Sequence, residues 1–302
     1  MTASNPLRDE SPAGPGGPTL RGTHLDSTAQ LMNRITSQLG SQLSLVSLNG
    51  TRRPAPPTLV LVAHGSRDPR TLSTVRVLIE RIRELRPHLP VRLGHIELNE
   101  PLLPDTLASA DPGEAVLVPL LLSRGHHVKH DIPEAAAAAP DVVRTRVAAP
   151  LGPHPLLVET LYARLVEAGW RTRMSDAARR SSGVVLAAAG SRDPDAGVDT
   201  RRTAQLLAER LGVPVVPAYA SAATPTVSAA LRTLAARGRH RVAVASYFTA
   251  PGRFATECAA AAPWIAAAPL GAHPAMARLV LHRYDQALAT PEPAPERALA
   301  SA

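Results

Sequence analysis

The chain has 302 residues, with 33 Lys and Arg against 25 Asp and Glu for a net charge of +8, and is 45% hydrophobic and 19% charged, which suits a globular protein of about two domains. One cysteine, Cys258, excludes a disulfide scaffold, a cysteine-rich zinc module and a cysteine-ligated iron–sulfur cluster within the chain. Aromatics at 3% leave little for a base-stacking surface, no apolar run reaches the ~20 residues of a membrane span, and the polar start MTASNPLRDE is not a secretory signal; a cytoplasmic protein binding neither nucleic acid nor membrane is expected.

Residues 1–57 are rich in Ser, Thr, Pro and Gly and end in TRRPAPPT, which reads as a flexible tail and linker. Leu31, Ile35 and Leu39 have the spacing of a short amphipathic helix within it. From residue 58 apolar runs alternate with helical patterns. TLVLVA (58–63) is a buried-strand run, followed at helical spacing by Leu72, Val75, Ile79, Ile82 and Leu85. VRLGHIE (91–97), AVLVPLL (115–121) and VVRTRVA (142–148) are further strands, separated by a short helix after Pro101 and an alanine-rich helix after DIPE. PLLVETLYARLVEAG (155–169) is a helix. Strict alternation predicts an α/β domain, a four-stranded parallel sheet covered on both faces.

The pattern then repeats. VVLAAAGSRDP (184–194) restates LVLVAHGSRDP (59–69), and APLGAHP (268–274) restates APLGPHP (149–155). Two landmarks in one order indicate an internal duplication. The expected organisation is a domain over 58–170, a polar linker over 171–183, a second domain over 184–289 and a loose tail over 290–302. Each domain is expected to be α/β, with helices on both faces of its sheet.

Ligands of open parallel sheets bind beyond the carboxyl ends of the strands. The first strand ends at His64, the second at Glu97, and the third leads into SRGHHVKHD with His126, His127 and His130. Imidazoles and a carboxylate thus reach one rim from three separate segments. Neutral imidazoles with a carboxylate and an open position suit Fe, Co, Ni or Zn. The duplication supplies an internal comparison. Ala189 stands at the place of His64, Ser221 at that of Glu97 and Phe254 at that of His127, while GSRDP persists. The first half is therefore expected to carry the chemistry and the second to serve as a wall or cap. Gly65 and Ser66 read as a turn that caps the next helix, Asp68 as turn chemistry, and His154 and His273, which recur in both halves, as structural.

AHGSRDP, GHIELNEP and VPLLLSRGHHVKHDIP together resemble the successive signatures of the class II sirohydrochlorin and cobalt chelatases, over roughly residues 58–289. The resemblance implies ATP-independent insertion of a divalent metal, Co2+ or Fe2+ with Ni2+ or Zn2+ as further substrates, into sirohydrochlorin on the way to siroheme or cobalamin. It implies two three-layer α/β/α domains that face each other across a cleft, and no permanently bound cofactor. It assigns metal binding to His64, Glu97 and His127, with the two histidines also removing pyrrole protons. From their spacing alone, His95 reads as a structural or rim residue, with an extra ligand or a proton relay as the alternatives, and His130 as a partner behind His127 or a cap.

Sirohydrochlorin carries eight carboxylates, which gives the arginine excess a use: Lys129 is the sole lysine. Arg67, Ser123, Arg124 and Arg253 are the candidate substrate-binding residues, with Arg70 and Arg192 on the same rims. With both walls in one chain, a monomer is expected. Two other functions compete. A metal or tetrapyrrole carrier would use the same pocket without turnover. A histidine-dependent phosphate transfer at His64-Gly65 would need an arginine where Ala63 stands.

Overall fold

The computed structural model describes residues 56–291. The helix expected around Leu31, Ile35 and Leu39, and both terminal tails, lie outside these residues except for 56–57 and 290–291.

Strand β1 (Thr58–Ala63) is apolar and buried after its first residue, as a strand covered on both faces must be. Helix α1 (Pro69–Leu85) follows. Asp68 caps it by accepting from the Arg70 N–H at 2.9 Å, and proline takes the first turn, where its missing N–H costs nothing. The cap thus sits at Asp68 rather than on Gly65 and Ser66. Ser66 contributes one step earlier, its Oγ accepting from the Asp68 N–H at 3.1 Å.

The first half continues as β2 (Val91–His95), α2 (Leu103–Ala108), β3 (Gly113–Pro119), α3 (His126–Lys129), α4 (Asp131–Ala137), β4 (Val143–Val147) and α5 (Pro155–Glu167). The stretch expected to be a linker holds a short helix, α6 (Asp176–Ser181), capped by Ser175, and the start of β5 (Ser182–Ala188). Then come α7 (Pro194–Leu211), β6 (Val215–Tyr219), α8 (Val227–Ala236), β7 (Arg241–Tyr247), α9 (Arg253–Ala260), β8 (Ile265–Ala266) and α10 (Pro274–Ala289). Two four-stranded sheets result, ordered β2-β1-β3-β4 and β6-β5-β7-β8, with every pairing parallel. Ala63 pairs with His95 and Val62 with Pro119, so the first three strands end nearly level and their loops emerge along one rim.

Alternation along the strands decides which layer each side chain meets. Val60, Val62 and Leu117 pack with Leu103 and Leu107 of α2 and Ile132 of α4. In the second sheet Val185, Ala187 and Val244 pack with Val227, Ala230 and Leu234 of α8 and with Cys258, which is buried as an apolar residue. The opposite faces join one shared core: Leu59, Leu61, Val116 and Val118 belong to the same cluster as Val184, Leu186 and Ala245.

That shared core arises from an exchange of helices. Helix α5, the last of the first half, packs on α7 and β7 of the second half. Helix α10, the last of the second half, packs on α1, β3 and β4 of the first. The two exchanged helices also pack on each other. Tyr284 of α10 donates its hydroxyl to the Pro57 carbonyl at 2.6 Å, and Arg283 reaches the Leu151 carbonyl at 3.3 Å. Among the described residues no helix is long and apolar enough to cross a membrane.

Candidate metal centre

The loop after β1 is laid directly on the loop after β2. Ile96 donates its backbone N–H to Ala63 at 2.9 Å, and Glu97 donates to His64 at 3.0 Å. Gly65 makes this approach feasible. Its φ is +102°, and a Cβ there would lie 1.8 Å from the Glu97 carbonyl oxygen. Asn99 closes the junction by accepting from the Ser66 N–H at 2.7 Å. The outcome is that His64 and Glu97 stand side by side, Nε2 to Oε1 at 3.5 Å. His64 Nδ1 lies 3.3 Å from the Gly65 carbonyl.

The third loop brings His127. Its Nδ1 is 2.5 Å from Asp131 Oδ2, four residues on at the start of α4. A carboxylate accepts only, so this bond places the ring proton on Nδ1 and leaves a lone pair on Nε2, the arrangement of a carboxylate-oriented metal-binding imidazole. The His127 ring lies 4.9 Å from that of His64, centroid to centroid, at 84° between planes. Ligand arms of about 2.1 Å around a tetrahedral ion put neighbouring donor atoms about 3.4 Å apart. The His64–Glu97 separation matches that edge. Two imidazoles sharing one ion have centroids roughly 5 Å apart by the same geometry, which the 4.9 Å separation matches.

The set is open. Among the described residues no group of three or more His, Cys, Asp or Glu side chains stands arranged to hold a metal ion. The His64, Glu97 and His127 side chains are 44%, 52% and 34% exposed, so solvent reaches one side of all three. Such an array can take up an ion and release it. It lies at the switch point of the sheet, where β1 has β2 on one side and β3 on the other.

The remaining predicted residues lie apart from one another. His95 is buried, its Nδ1 3.2 Å from the Pro101 carbonyl, under the loop that bears Glu97. His130 turns to His126, ring centroids 4.8 Å apart, while His126 Nε2 lies 3.7 Å from Asp131 Oδ1. Arg67 is exposed and Ser123 half-buried on the same rim. Arg253 is exposed, its guanidinium 4.6 Å over the Phe254 ring. Arg124 is committed elsewhere, to Asp199, with Nη2 to Oδ1 at 2.7 Å.

Sequence reading passed over Asp131, Asn99 and Asp199. The four-residue spacing from His127 marks Asp131 as a neighbour on a helix. Asn99 and Asp199 carry no such signal, since their partners are 33 and 75 residues away.

The second half keeps the framework without the donors. Ser221 donates its N–H to Ala189 at 2.9 Å, as Glu97 does to His64. Gly190 has φ +95°, and a Cβ there would lie 1.8 Å from the Ser221 carbonyl. Gly252 precedes α9 as Gly125 precedes α3. Ala189, Ser221 and Phe254 thus hold the places of His64, Glu97 and His127.

Comparison with known proteins bears on the family and the fold. A sirohydrochlorin cobaltochelatase of Methanococcus aeolicus is 37% identical over 79 residues, 25% of this chain and 55% of the relative. A sirohydrochlorin ferrochelatase of Bacillus subtilis is 29% identical over 175 residues, 55% of this chain and 64% of the relative. The chain therefore spans a little over half the length of these relatives. Among solved structures, SirB from Bacillus subtilis with Fe3+ has a TM-score of 0.62 at 24% identity, covering 77% of this chain and 96% of that one. CbiX, described as the terminal enzyme for siroheme biosynthesis in denitrifying bacteria, has a TM-score of 0.58 at 21% identity, covering 76% and 99%. These two share the fold. The sequence model of the CbiX family matches twice, over residues 58–168 and 183–287, so the chain, in both of its halves, belongs to the CbiX family.

Proposed function

We propose that this protein inserts a divalent metal ion, Co2+ or Fe2+, into sirohydrochlorin without ATP. The observation that carries the reading is the convergence of His64, Glu97 and His127 from three loops, one of them backed by Asp131, with their open side toward solvent. The metal is a substrate here, and an open set of nitrogen and oxygen donors holds it without trapping it.

Insertion exchanges two pyrrole N–H protons for one divalent cation. Glu97 supplies the negative charge that draws the ion in, and the two Nε2 atoms complete its hold. As ring nitrogens replace the protein ligands, each imidazole is freed with a lone pair and accepts one of the two departing protons. Asp131 stabilises the imidazolium formed at His127. The exposed Arg67, Arg192 and Arg253 stand on the two rims and neutralise carboxylates of the macrocycle. The names of the relatives include both cobalt and iron insertion, and imidazole and carboxylate donors suit both ions.

The test is a time course of the absorption spectrum of sirohydrochlorin with Co2+ or Fe2+ and the purified chain. Conversion with two protons released per metal is expected. A bound metal and tetrapyrrole with no conversion would assign a carrier role instead.

A further inference from the structure

The half without metal-binding side chains holds the loop that bears His127. Tyr247, on β7, donates its hydroxyl to the Leu122 carbonyl at 3.0 Å. Asp199, on α7 and 2% exposed, accepts from the Arg124 backbone N–H at 2.9 Å and from its guanidinium at Nε and Nη2, at 3.0 and 2.7 Å. Lys129 Nζ lies 2.8 Å from both Asp193 and Asp195, at the start of α7. Residues 122–129 are thus fixed at the beginning, near the middle and at the end, each time by the other half.

The loop needs this support. Helix α3 has four residues, none of them buried, and one turn of helix does not hold itself. The clamp also runs one way. In the duplicated register Asp199 corresponds to Thr74, Tyr247 to Leu120, Arg124 to Pro251 and Lys129 to Thr256. The return contact from α1 is a neutral bond from the Thr71 hydroxyl to the Pro251 carbonyl. The loop with Phe254 is left without the charges that grip the loop with His127.

We infer that Asp199 is a positioning residue for metal binding, and that the second half is a clamp setting His127 against His64 and Glu97. The inference rests on the reading of these three as metal ligands. Asp199 touches neither metal nor macrocycle. It acts through Arg124, three residues before His127, where a displacement of about 1 Å is enough to spoil a shared coordination sphere.

The test uses the full chain and two measurements that need no tetrapyrrole. Hydrogen exchange reads the loop amides, and Co2+ titration followed by visible absorption reads affinity. Asp199→Asn is expected to speed exchange over residues 124–130 and to weaken Co2+ binding about tenfold, the scale of losing a group that orients a ligand. Arg124→Ala is expected to do the same, and the double variant no more than either single one. Val227→Ala, a truncation in the α8 layer far along the chain from the clamp, controls for general destabilisation and is expected to leave Co2+ affinity unchanged. Unchanged loop exchange in Asp199→Asn overturns the clamp. Faster exchange with unchanged Co2+ affinity overturns the positioning role. A wild-type chain that binds Co2+ but converts no sirohydrochlorin overturns the functional reading alone.

Discussion

At the scale of single residues, the proposed metal centre depends on small tolerances. His64→Ala or His127→Ala is expected to lower turnover by about 10³-fold, since in the proposed mechanism each would remove both a ligand and a proton acceptor, with the circular dichroism spectrum unchanged because both side chains are on the open rim. Asp131→Asn tests a subtler role. The amide cannot hold the His127 proton on Nδ1 as a carboxylate does, and a 10–100-fold loss of metal affinity is expected, read by Co2+ titration. Gly65→Ala is a steric test. The added methyl would meet the Glu97 carbonyl at 1.8 Å, so the loops must part and Glu97 must leave His64. Lost Co2+ binding is expected. His64, Glu97 and the histidine-rich loop were legible because they follow strand ends, and strand ends can be read from apolar runs. The choice of His127 among three histidines was legible only through the resemblance and the substitution of Phe254. Its dependence on Asp199 was not, because no local pattern reports a partner 75 residues away.

At the scale of elements, the exchanged helices share an unusual cap. His154 Nδ1 accepts from the Leu156 N–H at 3.1 Å at the start of α5, and His273 Nδ1 accepts from the Ala275 N–H at 3.2 Å at the start of α10. A cap that accepts at Nδ1 needs an unprotonated nitrogen there. Burial, then the nearby Arg283 and His282, press the His154 imidazole down from 6.5 to about 4. Burial, then Arg164, presses His273 down as well. The unfolded chain binds protons at these positions at the ordinary histidine pKa, and the folded chain does not. Stability contributed by the neutral caps is therefore full above about pH 6.5 and declines as pH falls from there toward 4. Denaturant midpoints between pH 7 and 4 are expected to fall in the wild type and to fall less in a His154→Asn, His273→Asn variant, whose caps do not titrate. Recurrence of both histidines in the two halves marked them as structural. What they cap, and the acid sensitivity that follows, required the geometry.

At the scale of the whole molecule, the duplication and the parallel sheets were legible, since repeated landmarks and strict alternation each have one reading. The exchange of α5 and α10 was not. Periodicity tells which face of a helix is buried and is silent on which sheet buries it. The consequence for stability is direct. Leu279, on α10, is fully buried in the shared core, and Leu279→Ala is expected to cost about 2–5 kcal/mol. Because α10 roofs the first half from within the second, calorimetry is expected to show one transition that moves as a unit, not two with only the later one shifted.

The same crossing of helices explains how one half can lack the donor side chains and still be needed. Had each half covered its own sheet, the half without them could be removed and the other would stand alone. Here neither half is closed without a piece of the other, so the body of the second is required whatever chemistry it carries.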